Sequence, residues 1–252
     1  MRVRMLGAFD VIVNGETVVP AGAKPRTVLA LLALNAGRVV TGEALMNEIW
    51  DGRPPRSART TLQTYILHIR KVFAQVSGMS LREVASCQLA THADGYRLSC
   101  AAGDSDLFRF DTLSSAAREA MVQRRFAEAG RMWRGALELW SGNAFGGIVP
   151  GPALQAETRR LEEARLQAMG LRIEADLQVG RVDQVIGELV SLTRRHPFNE
   201  SFHAQYMRAL SQSGRRVEAL RAYQDLRSVL IDELGLEPGA EVREVHQAIL
   251  AS

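Results

Sequence analysis

Residues 53–73 read "RPPRSARTTLQTYILHIRKVF". The stretch holds five basic residues and no acidic one. At a helical period, Leu62, Ile66, Ile69 and Phe73 fall in one narrow apolar stripe, flanked by Tyr65 and Val72. Thr60, Thr64, Leu67, His68 and Lys71 fall opposite, with Thr61 and Gln63 toward the sides. A merely solvated helix face carries Glu and Lys in pairs, and this one has no Glu. Its N-terminal half is short-chained and hydrogen-bond-capable, and its C-terminal half is basic. A helix in the major groove needs this order, with donors and acceptors for base edges and cations for phosphates.

The flanking sequence supplies the context. Upstream, "VRMLGAFDVIVNGETVV" alternates apolar residues around an Asn14-Gly15 turn and predicts a hairpin. "KPRTVLALLALNAGRVV" predicts a helix stopped at Gly37. Thr41 is placed to cap a second helix, "GEALMNEIW", and Ser57 to cap the third. Downstream, "LREVASCQLAT" reads as a strand, His92–Gly95 as a polar turn, and "YRLSC" as a closing strand. Strands, three helices and a final hairpin are the layout of a winged helix-turn-helix. The hairpin is the expected wing, with Thr91, His92, Tyr96 and Arg97 near the DNA backbone or minor groove. Tyr96 and Arg97 stand side by side as a phosphate clamp would, although plain strand packing accounts for Tyr96 equally well.

Charge is divided along the chain. Residues 1–100 carry 12 Lys+Arg against 7 Asp+Glu, whereas residues 101–252 carry 19 against 21. A basic first segment beside a near-neutral second one points to a polyanionic partner for the first. The 252 residues are 46% hydrophobic, which is globular composition for one large or two ordinary domains. Cys87 and Cys100 show neither metal-ligand nor redox spacing and read as reduced thiols. No signal peptide is legible, and no apolar run reaches membrane-spanning length.

Beyond a short boundary at Gly103–Ser105, nearly every segment has a helical period. "GRVDQV" and "GRRVEAL" begin 34 residues apart, the offset of helix-pair solenoids of the tetratricopeptide kind. "FAEAGRMWRGALEL" resembles a third, less regular copy. The expected fold is therefore mainly α with small β. A winged helix over 1–100, made of a β platform, three helices and a wing, precedes an all-α tetratricopeptide-like region over 104–252.

"LQTYILHIRKVF" and "GYRL" resemble the OmpR-type winged helix. "ALRAYQDLRSVLIDELGLEPGAEVREVHQAIL", "ALELWSGNAFGGI" and "RHPFNESFHAQYMRALSQSGR" resemble the bacterial transcriptional activator domain. Together they resemble a short member of the Streptomyces antibiotic regulatory protein family. The resemblance implies an activator of a secondary-metabolite gene cluster. It also implies binding to direct repeats of double-stranded DNA as a homodimer, contact with RNA polymerase holoenzyme, and no cofactor. The expected location is the cytoplasm, on the nucleoid when bound. Gln63, Thr64, Tyr65, Arg70 and Lys71 match the family's recognition-helix pattern, "LQTYVSRLRR". Leu67 and His68 stand where Ser and Arg are usual, which implies either a changed sequence preference or a partial loss of affinity. Lys24 and Arg26 match a basic, backbone-contacting loop, and Arg59 joins the expected DNA contacts. For Trp50, core packing is the expected role.

No Walker-type glycine loop is present, and the ATPase module of larger family members does not follow. No histidine pair has metal-binding spacing, and no catalytic carboxylate pair or receiver-type phosphoacceptor is legible. An enzyme is the least supported reading. A protein-interaction scaffold and an effector sensor are the rival classes.

Overall fold

The computed structural model describes residues 1–251. The chain opens with β1 (Arg2–Arg4), β2 (Asp10–Val13) and β3 (Glu16–Val18), an antiparallel sheet in the order β1-β2-β3. Asn14 and Gly15 both adopt positive φ, 52° and 89°, as a two-residue hairpin turn requires. Next come α1 (Ala23–Leu34), β4 (Val40–Thr41), α2 (Gly42–Trp50) and α3 (Ala58–Ser77). A short α4 (Leu81–Glu83) and a π-helical turn (Val84–Gln88) lead into β5 (Leu89–Thr91) and β6 (Gly95–Leu98). The second sheet runs β4-β6-β5, so the short strand ahead of α2 becomes its third member.

Two local expectations are corrected. The segment from Leu81 to Gln88 is helical rather than a strand, and the strand begins only at Leu89. A capping box explains this. The Glu83 carboxylate accepts from the Ser80 backbone N–H at 2.8 Å, and the Ser80 hydroxyl accepts from the Glu83 N–H. Ser-x-x-Glu is a helix-start signal that outweighs a short apolar alternation. Ser57 stands at the N-cap of α3, but its side chain accepts no capping bond. Thr41 does cap α2, accepting from the Ala44 N–H at 3.1 Å.

The later helices are α5 (Asp106–Val122), α6 (Phe126–Leu137), α7 (Pro152–Gln178), α8 (Val182–Arg195), α9 (Glu200–Gln212), α10 (Arg216–Leu234) and α11 (Ala240–Ala251). Packing divides the chain into two compact units that do not follow the sequence segments. One comprises residues 1–113 and 135–165, and the other residues 114–134 and 166–252.

In the first unit, the stretch "SGNAFGG" is stitched to the N-terminal strand region. Leu6 O accepts from the Ser141 N–H, Met5 O from Phe145 and Gly7 O from Gly146, all at 2.8 Å. The carboxylate of Asp106 accepts from the Met5 and Leu6 N–H groups. Buried Glu48 on α2 accepts from the N–H groups of Gly151, Ala153 and Leu154, so it caps the start of α7.

The second unit is helical. Ile173 and Leu177 of α7, Val185, Leu189 and Leu192 of α8, and Phe202, Met207 and Leu210 of α9 share one core with Leu226 and Leu230 of α10 and Val242 and Ile249 of α11. The helix pairs α8/α9 and α10/α11 are the two units that the sequence offset announces. No helix among the described residues is long and apolar enough to cross a membrane.

Candidate nucleic-acid interface

Helix α3 turns the expected stripe inward. Ala58, Leu62, Ile66, Ile69 and Phe73 are buried, and each of the four large side chains stabilises the packing by about 1.5–3 kcal/mol. Arg59, Thr60, Gln63, Thr64, Leu67 and Lys71 are exposed, while Thr61, Tyr65, His68 and Arg70 are half-buried. The first turn of α3 contains no acidic residue. It carries Arg59 against the helix dipole, an arrangement that costs stability unless an anion lies nearby.

Two of the expected DNA-contacting residues, His68 and Arg70, are held by the protein itself. The Arg70 Nε and Nη2 donate to the Leu89 carbonyl at 3.0 and 2.7 Å, and Nη2 also donates to the Thr91 hydroxyl at 2.7 Å. Burial lowers the pKa of Arg70, partly offset by nearby Tyr96. The His68 Nε2 accepts from the Ala21 N–H at 3.0 Å. That bond uses the lone pair of Nε2 as acceptor. Arginine, which has no acceptor, could not make it. Helix α3 is therefore bracketed, with His68 reaching the loop before α1 and Arg70 reaching strand β5.

Gly95, at the head of "GYRL", is required by a close approach. A Cβ there would lie 2.0 Å from the Val40 carbonyl oxygen and 2.8 Å from Thr41 Cα. The wing turn closes by His92 N–H donating to Gly95 O at 2.9 Å, and Asp94 O accepts from the Gly42 N–H at 2.9 Å. Thr91 is exposed and His92 half-buried, with its Nε2 enclosed and unpartnered among the described residues. Tyr96 and Arg97 are successive residues of β6 and so point to opposite faces. They do not form one clamp. Tyr96 pairs in register with Val40 on one side and Thr91 on the other. Arg97 lines a shallow recess with Met1, Gly37, Ser99, Cys100 and Asp104.

Lys24, exposed at the start of α1, places its Nζ 5.1 Å from the centre of the Trp50 ring. Arg26 is half-buried, its Nη2 3.4 Å from where a Cβ on Gly147 would lie. Sequence reasoning passed over Arg53 and Arg56, both exposed beside Pro54-Pro55. The charge count of the opening stretch could have found them. Among the described residues, the ion pairs made by cations of residues 1–100 are Arg4–Asp10 and the N-terminal amine with Asp104. Among those residues Arg53, Arg56, Arg59 and Lys71 have no carboxylate partner. In the second segment nine of the 19 arginines have a carboxylate partner among the described residues, for example Arg134 with Asp176, Arg208 with Glu174 and Arg227 with Glu237. No cluster among the described residues could hold a metal ion.

Comparison with known proteins agrees with this layout. The family described as bacterial transcriptional activator domain matches residues 105–250, and that described as transcriptional regulatory protein, C terminal, matches residues 15–85. The regulatory protein DnrI of Streptomyces peucetius is 41% identical over 250 residues, 99% of this chain and 92% of that protein. The regulatory protein AfsR of Streptomyces coelicolor is 36% identical across 99% of this chain, which spans only 24% of AfsR. A solved structure, Mycobacterium tuberculosis EmbR in complex with a low-affinity phosphopeptide, superposes with a TM-score of 0.90 at 32% identity. It covers 99% of this chain and 65% of that one.

Proposed function

Because the chain belongs to the Streptomyces antibiotic regulatory protein family of transcriptional activators, an OmpR-type winged helix joined to a bacterial transcriptional activator domain, we propose that it switches on a secondary-metabolite gene cluster from direct repeats beside a promoter. The DNA-binding activator class comes with the family. The cluster, the repeats, the polymerase and the working sites are our reading.

In that reading residues 1–100 bind DNA and residues 104–252 form the activator region that meets RNA polymerase holoenzyme in the cytoplasm. Helix α3 enters the major groove with Thr60, Gln63, Thr64 and Leu67 toward the bases. Arg59 and Lys71, with Lys24 at the side, meet phosphates. Two protomers sit head to tail, their half-sites about one helical turn apart. The observation that carries the proposal is the acid-free exposed strip of α3 beside Arg53, Arg56 and Arg59, which no carboxylate among the described residues neutralises. Cations left unpaired at a surface favour a polyanion and make its binding salt-dependent.

The test is competition binding of the full chain to its neighbouring promoter and to random duplex at about 150 mM salt. Preference for the promoter by about 10³-fold is expected. Equal affinity for both would sink the proposal. Footprints lacking a repeat would remove the direct-repeat part alone.

A further inference from the structure

Leu67 is 46% exposed in the middle of the recognition strip. At 100° per residue it lies roughly midway between Gln63 and Thr64 around the helix, with Lys71 one turn later on the same side. Three neighbouring side chains are committed within the protein. Arg70 is bound to Leu89 and Thr91, and His68 to Ala21. The Thr64 hydroxyl donates back to the Thr60 carbonyl at 3.1 Å, so its proton is used within the helix. The centre of the strip therefore presents an isobutyl group between the Gln63 amide and the Lys71 ammonium.

The major groove offers one prominent apolar feature, the 5-methyl group of thymine. A side-chain amide such as that of Gln63 suits the N6/N7 edge of adenine. We propose that Leu67 is a specificity-determining residue that reads a thymine methyl group, within about two base pairs of an adenine met by Gln63. This rests on α3 entering the major groove as proposed above.

The experiment uses the full chain and a footprinted half-site. Each thymine in turn is replaced by deoxyuridine, which lacks only the methyl group, and affinities are compared at fixed salt for the wild type and for Leu67→Ser. One or two replacements should weaken the wild type about threefold to fivefold, the worth of one buried methyl, and leave Leu67→Ser unchanged. Leu67 is exposed, so matching thermal melts for the two proteins will show that the serine variant folds. If no deoxyuridine replacement affects the wild type, or if Leu67→Ser suffers the same losses, the assignment is overturned while promoter-specific binding stands. If the wild type does not distinguish the promoter from random duplex at all, the major-groove reading fails and takes this inference with it.

Discussion

The Arg70 guanidinium on α3 donates two bonds to the backbone carbonyl of Leu89 on β5, at 3.0 and 2.7 Å. The same Nη2 reaches the Thr91 hydroxyl. A group committed in this way ties α3 to β5 through its Nε and Nη2 donors. Arg70→Lys keeps the charge but loses the fork. Promoter affinity should fall about tenfold, as for the loss of one charge-assisted bond of about 1.5 kcal/mol. The slope of log affinity against log salt should not change. Lys71→Ala should weaken promoter and random DNA alike and lower that slope by about one. A lowered slope for Arg70→Gln, which removes the charge, would make Arg70 a phosphate contact instead.

Gly95→Ala should detach the wing. The new Cβ would meet the Val40 carbonyl at 2.0 Å, so backbone must move, at a cost of about 1–3 kcal/mol or more. Thermal melts should show the loss, and DNA affinity should fall with it.

Asp176 on α7 is buried and accepts from Arg134 at 2.8 Å, from Arg172 at 3.2 Å and from Arg181 at 3.2 Å. Arg172, also buried, pairs in addition with Glu188. Asp176→Asn would leave three guanidinium groups gathered without their shared anion. Unfolding in urea should report a loss of about 3–5 kcal/mol. Arg181 is about one-third exposed, so Arg181→Ala should cost under about 1 kcal/mol. A small effect of Asp176→Asn would show that solvent screens the cluster.

Acid should destabilise the helical unit through His203. Burial lowers its pKa, with the Pro197 carbonyl and Glu200 offsetting part of the shift. The folded state therefore resists protonation that the unfolded chain accepts. Stability from this group is full above about pH 6.5, the ordinary histidine value. It is lost as pH falls from there to the lowered native value, at no more than about 1.4 kcal/mol per pH unit. His203→Gln should flatten that part of a stability–pH curve, and an unchanged curve would refute the assignment.

Much of this was legible from local pattern. The Asn14-Gly15 hairpin, the buried stripe of α3 and the offset of the two helix pairs each follow from a short period or one turn signal, and the fold agrees. At Leu81–Gln88 the apolar alternation predicts a strand, and the Ser80–Glu83 capping box overrides it. The exposed face of α3 was legible as a set, but which of its members are free was not. Arg70 meets a carbonyl 19 residues away and His68 an amide 47 residues away, and no helical period encodes such partners.

The unequal charge of the two segments belongs to the sequence because it is a matter of composition, and the helix periods and turn glycines because each depends on residues within a few positions of one another. Packing decided the rest. Three-dimensional neighbours separate His68 and Arg70, held in place, from Leu67 and Lys71, left open to solvent. The same kind of long-range contact makes Gly95 necessary through Val40 and sets Glu48 as a cap for backbone 103 residues downstream. A hydrogen bond or a steric limit between distant segments exists only once the chain has brought them together.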